Sequence, residues 1–390
     1  MPVSEDKIRE KGEIFMKNRL IKKIAIIATA VLIGLSPQLS IRADAAYYTV
    51  TQESGVLLAA DGAEVFTDAD TATYVMTLAV NTPVQVTGRT SNGFWQVSIN
   101  GGIFYVSQQA LSMSANTTAY RFTSYDVGAA LVANAATGKL IYTQNALDRL
   151  EPASTTKIMT ALLAVEAIEA GQISLDTPVA VSASVLSTLP SDASHVNPRL
   201  QAGEVLTVDQ LLNCVMVSSD CYACNVLAEL ISGSVSNFVT LMNTRAAQLG
   251  CIDTKFTNPS GYPDKSMYTN AFSLYLITTN AISHPIFNQH FNTASTILPA
   301  TNLSAARALV NTDSLMLPSS PYYNPYVIGG KTGTANRAGQ CLVSVAQKQG
   351  KTVISVVLGA KNRTMFDGNI VSMRYYETNR LLDLGFNNYW

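Results

Sequence analysis

Ser154 and Lys157 stand three residues apart in Glu151-Pro-Ala-Ser-Thr-Thr-Lys-Ile-Met-Thr160. On a helix that spacing puts a hydroxyl and an amine on one face, within mutual reach. The run that follows (Ile158, Met159, Ala161, Leu162, Leu163, Val165) is mostly apolar, so the helix is expected to be buried. A buried lysine must be paired or give up its proton, and an amine beside a hydroxyl is a general base beside a nucleophile. Pro152 suits a first helical turn, which would leave Ser154 near the positive end of the helix dipole. Alone, the pair also fits a capping serine followed by a surface lysine. Two further stretches weigh on that choice. Ser219-Asp220-Cys221 comes 65 residues after Ser154 and opens a helical run from Tyr222 to Leu230. Lys331-Thr332-Gly333 comes 112 residues after Ser219, between turn glycines and a strand-like run from Leu342 to Ala346.

The elements that must position these groups follow from periodicity and punctuation. Ala129 to Ala135 and Leu140 to Thr143 read as a hairpin around Ala136-Thr-Gly-Lys139, and Gly171 stops the Ser154 helix. A polar loop containing His195 runs from Ser182 to Gly203, and Thr207-Val-Asp-Gln210 is a capping box opening the next helix. Helical patterns cover Val235 to Leu249, Asn270 to Ile282 and Met373 to Leu384, while strands cover Val327 to Thr334, Leu342 to Gln347 and Thr352 to Leu358. Strands at both ends with helices between them predict an α+β domain, an antiparallel sheet with helices packed on it, over residues 125–390. Residues 47–113 read as β throughout, with short strands and Gly/Asn turns that suit a small barrel, and residues 114–124 read as a linker. In that barrel Trp95 reads as a core residue.

Composition narrows the function class. Of 390 residues 47% are hydrophobic and 14% charged, which argues for a well-buried core. Residues 1–46 hold eight basic and five acidic side chains, leaving 18 basic against 22 acidic in the remainder, a balance that favours no nucleic-acid partner. Lys17 to Lys23 is a basic stretch before an apolar run, Ile24 to Ser36, and Ala43-Asp-Ala45 supplies small residues for cleavage. Residues 1–46 therefore read as a signal peptide and place the protein outside the cytoplasm. Thirteen apolar residues fall short of a spanning helix. Five cysteines leave at least one unpaired within the chain, and Cys214 and Cys224 read as small buried residues. The histidines at 195, 284 and 290 show no metal-ligand spacing. Pro325 stands where a phosphate loop ending in Gly330-Lys331-Thr332 needs glycine, and no serine has the G-x-S-x-G surround of an α/β-hydrolase.

Taken together, Ser154-x-x-Lys157, Ser219-Asp220-Cys221 and Lys331-Thr332-Gly333 resemble the penicillin-binding proteins and β-lactamases. The chain resembles specifically the low-molecular-weight D-alanyl-D-alanine carboxypeptidases of the serine S11 family. The resemblance extends over about residues 125 to 390 and includes Gly128 to Lys139, Asn258-Pro-Ser-Gly261, Val356 to Ala360 and Arg374-Tyr-Tyr-Glu377. It implies a penicillin-binding fold without metal or cofactor, acting on peptidoglycan stem peptides that end in D-Ala-D-Ala and trapped by β-lactams. It implies Ser154 as nucleophile, Lys157 as base and Ser219 as proton donor to the leaving amine. Cys221, Lys331, Thr332, Gly333 and Thr334 would line the bound peptide, and the backbone amides of Ser154 and Thr334 would form an oxyanion hole. Arg374 would bind the terminal carboxylate; its plainer alternative is a surface pair with Glu377. A β-lactamase would need a deacylating carboxylate, and no Glu-x-x-Leu-Asn lies between the second and third motifs. A slow wall-attachment protein is the other alternative. The sequence departs from the family at Cys221 (usually asparagine), Ser260 (usually histidine) and Ser273 (usually aspartate). Residues 47–113 resemble bacterial SH3 domains, which implies cell-wall contact in place of the additional C-terminal β-domain of many relatives.

Overall fold

The computed structural model describes residues 48–59, 63–69, 73–78, 82–99, 102–112, 125–365 and 368–389. The expected signal segment and linker lie outside the described residues. The first strands are β1 (Val50–Ala59), β2 (Ala63–Phe66), β3 (Tyr74–Leu78), β4 (Pro83–Thr90), β5 (Phe94–Ile99), β6 (Gly102–Ser107) and β7 (Leu111–Ser112). They form one antiparallel sheet in the order β3-β2-β6-β5-β4-β1-β7. Alternate residues of its strands (Val65, Val84, Val86, Val97, Val106) are buried together, as period-2 patterning requires. Trp95 packs against this core, and its indole Nε1 has no hydrogen-bond partner.

From residue 125 the chain is α+β. β8 (Ala129–Asn134) and β9 (Leu140–Gln144) make a hairpin whose turn is held by Asn134, its Oδ1 accepting from the amides of Ala136 (2.8 Å) and Thr137 (3.1 Å). A 3₁₀ turn, Ala153–Thr156, leads into α1 (Lys157–Glu169). The middle of the chain holds β10 (Pro178–Ala180), α2 (Ala183–Ser187), β11 (Val205–Thr207), α3 (Val208–Met216), α4 (Cys221–Ser232), α5 (Val235–Gln248), α6 (Ala271–Ala281) and α7 (Pro285–Phe291). Thr207 forms the expected capping box with Gln210, by bonds of 3.2 and 3.0 Å. A hairpin of β12 (Ser295–Leu298) and β13 (Arg307–Val310) follows. The chain ends with β14 (Val327–Ala335), β15 (Gly339–Lys348), β16 (Lys351–Ala360), a small hairpin of β17 (Asn362–Thr364) and β18 (Ile370–Ser372), and α8 (Met373–Asn387).

The main sheet is antiparallel, in the order β14-β15-β16-β8-β9, so this sheet's first and last strands in the chain, β8 and β16, meet and β14 is left at an edge. Its central strands are apolar on both faces because both are covered. Val343, Val345, Ile354 and Val356 share one core with the helical middle. Leu342, Ala346, Val353 and Val357 share another with Leu381, Leu382 and Phe386 of α8. The start of the domain is clamped to its last helix. Asp126 N donates to Glu377 Oε1 (3.1 Å), Arg380 pairs with Glu377 (2.6 Å), and the Arg380 guanidinium lies 4.7 Å from the Tyr125 ring centre.

The pattern predicts no element between residues 283 and 321, where the structure has α7, β12 and β13, and it predicts one loop where α2 forms. These segments are too short to show a period. The β12–β13 hairpin is held by a tertiary contact, the wholly buried Arg307–Glu204 pair, with Thr301 also donating to Glu204 (2.9 Å).

Candidate active site

Ser154 lies in the 3₁₀ turn just before α1, so the helix proper begins at Lys157, later than its sequence suggests. Ala153 sits at φ +45°, a conformation L-residues seldom adopt, and the turn is locked from outside. The backbone of Gly261 packs so tightly on it that a Cβ there would fall 1.8 Å from the Ala153 carbonyl oxygen. Thr155 Oγ1 donates to Pro152 O at 2.7 Å. The strained turn presents Ser154 Oγ to Lys157, whose Nζ donates to it at 3.0 Å. Lys157 is fully buried, and its Nζ also meets Ser260 O (2.7 Å) and Cys221 Sγ (3.4 Å). The capping-serine, surface-lysine alternative is thereby excluded.

The second motif turns at Ser219, which has φ +59°. Asp220 caps α4 with Oδ1 accepting from Ala223 N (2.7 Å), while Oδ2 accepts from Val196 N (2.7 Å). Burial pushes the Asp220 carboxyl above its ordinary range, against these bonds. The cap fixes Cys221 in the first helical turn, 3% exposed, with its sulfur toward Lys157. One turn on, Cys224 donates to Asp220 O (3.2 Å) and lies wholly in the core, as does Cys214. Burial raises both of those thiols. All five cysteines are unpaired.

Edge strand β14 brings the third motif against both. Lys331 is fully buried and donates to Ser219 Oγ (3.0 Å) and Thr332 O (3.1 Å). Burial, aided by the charge of nearby Lys157, pushes its amine down to about 7. A Cβ on Gly333 would come within 2.9 Å of Pro152 O and 3.0 Å of Ser154 N, so only glycine lets the strand lie this close to the Ser154 turn. Thr332 and Thr334 are two apart and therefore share a side of β14. Arg374, in the first turn of α8, reaches this same strand, its NH1 donating to Gly333 O (3.1 Å) and Thr334 Oγ1 (3.0 Å). The pairing of Arg374 with Glu377 does not occur, because Arg380 and Asp126 occupy that carboxylate.

All nine sequence-selected residues thus gather around the Ser154 turn and strand β14. Two others reach the same place, Thr312 without a motif to announce it and Tyr375 within the Arg374-Tyr-Tyr-Glu377 stretch but with no role assigned to it. Thr312 Oγ1 lies 2.5 Å from Thr332 Oγ1, and Tyr375 Oη accepts from Arg374 NH2 (3.0 Å) and donates to Thr312 O (3.0 Å). The only sequence signal for Tyr375 is its place beside Arg374. The histidines are engaged elsewhere, His195 with Val196 O, His284 with Glu169 and His290 with Asn213.

Residues 114–362 match the model of the S11 peptidase family, described as D-alanyl-D-alanine carboxypeptidase. The chain belongs to that family. It is 31% identical over 266 residues to the D-alanyl-D-alanine carboxypeptidase DacF of Bacillus subtilis, and 31% identical over 264 residues to DacC of Escherichia coli. Those matches cover 68% and 67% of this chain and span 64% and 62% of the two relatives' lengths. Among solved structures, a serine-to-alanine mutant of a Streptomyces DD-transpeptidase superposes with a TM-score of 0.60 at 28% identity, over 68% of this chain and all of that one. Penicillin binding protein 5 of Haemophilus influenzae gives 0.59 at 27%, over 69% of this chain and 73% of its own. The α+β fold of the S11 chain is therefore that of the penicillin-binding proteins.

Proposed function

We propose that this S11 family member is a serine D-Ala-D-Ala carboxypeptidase that removes the terminal D-alanine from peptidoglycan stem peptides. The observation that carries the reading is the pair of serine–lysine contacts, Ser154–Lys157 and Ser219–Lys331, each 3.0 Å, beside an edge strand. The peptide adds to the free edge of β14 as an extended strand. Ser154 Oγ attacks the carbonyl carbon of the penultimate D-alanine, and its proton passes to Lys157 Nζ. The resulting oxyanion faces the backbone amides of Ser154 and Thr334. The C–N bond then breaks, the departing D-alanine nitrogen taking a proton through Ser219, which Lys331 backs. Water hydrolyses the ester and restores the Ser154 hydroxyl. Arg374 holds the terminal carboxylate, with Lys331, Thr332 and Thr334 along the strand and Cys221 at the amine.

In the same reading residues 1–46 are a signal peptide, 47–113 an SH3-like barrel that touches the wall, 114–124 a linker and 125–390 the catalytic domain of an extracytoplasmic enzyme. The seven-stranded sheet and its buried valine core support the barrel assignment.

Penicillin resembles the D-Ala-D-Ala end and should be trapped as a stable ester on Ser154, read as a mass increase and located by peptide mapping. A synthetic D-Ala-D-Ala peptide should lose one D-alanine. Labelling at another residue, or rapid turnover of penicillin without D-alanine release, would refute the carboxypeptidase reading.

A further inference from the structure

Arg374 is held by its own sequence neighbour. Its NH2 donates to Tyr375 Oη (3.0 Å), and its guanidinium carbon lies 4.6 Å from the centre of the Tyr375 ring. Tyr375 is 5% exposed, and its hydroxyl proton goes to Thr312 O (3.0 Å). A phenol has one proton, so with that proton committed its lone pairs must face Arg374. The ring is fixed from behind by Tyr322, 5.0 Å away at 33° between planes. Tyr322 in turn accepts from Ser372 N (2.9 Å), at the start of α8. The Thr312 carbonyl is taken by Tyr375 and its hydroxyl meets Thr332 Oγ1, so this exposed residue is fixed at both ends. Asp313 beside it is fully buried, accepts from Leu315 N (3.0 Å) and packs on Gly330 of β14.

One phenol hydroxyl therefore joins the guanidinium to the 312 loop, with Thr332 and Thr334 between them. We infer that Tyr375 is a positioning residue that aims Arg374 and seats the Thr312 hydroxyl beside it, so that both recognise the substrate's terminal carboxylate. The inference rests on the carboxypeptidase reading above. Three hydroxyls and a guanidinium on one strip form a donor set suited to a carboxylate and to little else of that size.

Tyr375→Phe keeps the ring and its stacking on Tyr322 while removing the bridge. On a peptide ending in a free D-alanine carboxylate, KM should rise about three- to tenfold with kcat within about twofold, one hydrogen bond's worth. The same peptide with its C-terminus amidated should show no change. Adding Tyr375→Phe to Arg374→Ala should cause a smaller further loss than Tyr375→Phe causes alone, since only the Thr312 hydroxyl is then left for the bridge to seat. Equal losses on both substrates, an unchanged KM, or losses that multiply in the double variant would each overturn the inference. Thr312→Ala, at an exposed position, should give the same carboxylate-only rise in KM even if Tyr375→Phe folds poorly, and an unaltered KM there removes Thr312 from the site. Wild-type protein that neither releases D-alanine nor takes penicillin on Ser154 sinks the parent reading and this inference with it. Wild-type protein that does both, with Tyr375→Phe indistinguishable from it, sinks this inference alone.

Discussion

At the residue scale the site is two buried lysines, each on a serine, and at Lys331 burial decides the charge. Lys331 titrates near 7 in the folded protein and near its ordinary 10.5 when unfolded. Between those values the unfolded chain holds a proton that the native state has lost, so stability rises with pH across that window. The contribution is fully present above 10.5 and fades as pH falls through about 7. Denaturant titrations of wild type and Lys331→Met from pH 6 to 10 should therefore diverge, the wild type gaining at up to about 1.4 kcal/mol per pH unit. Parallel curves would show that Lys331 keeps its proton throughout. Cys221 is the second residue to test. A thiol is a weak donor and a weak acceptor, whereas an amide at the same place could accept from Lys157 and, in the proposed complex, donate to a peptide carbonyl. Cys221→Asn should keep penicillin acylation of Ser154 and change kcat/KM on the peptide by roughly two- to tenfold, about one hydrogen bond. A lower melting temperature with unchanged turnover per folded molecule would instead make Cys221 a packing residue.

At the element scale, the proposed acylation depends on how closely β14 approaches the 3₁₀ turn before α1. Two glycines set that distance, Gly261 from one side and Gly333 from the other. At Gly333 the conflict of an added methyl is with backbone atoms, which cannot swing away. Gly333→Ala should thus move the strand by a few tenths of an ångström and slow penicillin acylation about tenfold or more, because reacting groups tolerate little misplacement. The check is the second-order acylation rate beside the melting temperature. An unaltered rate would mean the cleft is looser than its geometry indicates. The same scale explains why Ser154 precedes the helix. The positive-φ Ala153 turn is stabilised by contacts from the Asn258–Tyr262 loop, where Asn258 Oδ1 accepts from Ser260, Gly261 and Tyr262 amides.

At the scale of the whole molecule, the domain is held together by long-range ties. Loop 198–204 is bound to the β12–β13 hairpin by Glu204 and Arg307, 0% and 3% exposed, and Arg307 NH1 also donates to Pro198 O (3.1 Å). Removing one partner of a buried pair strands the other, so Arg307→Met should destabilise the protein by about 3–5 kcal/mol in urea unfolding. A loss below about 1 kcal/mol would mean water or another cation takes over Glu204. The Tyr125–Arg380–Glu377 clamp joins the two ends of the domain in the same way, and burial there pushes the Tyr125 phenol up to about 12.

The sequence by itself determined whatever lies within one element or one turn. Spacing put Ser154 and Lys157 on adjoining turns, Thr207 and Gln210 in a capping box, Thr332 and Thr334 on one side of a strand, and apolar runs in the central strands. These are consequences of helix and strand period, which any stretch of chain carries with it. Tertiary structure decided the rest. Arg374 serves β14 because Arg380 holds Glu377; Cys221 faces Lys157 while Cys224, three residues on, faces the core. Lys331 sits near 7 because the core that buries it, and then Lys157, are close to it in space and distant in sequence. Thr312 had no motif and Tyr375 no assigned role, since a carbonyl–phenol bridge needs only proximity, and proximity between elements comes from packing spread over the whole core.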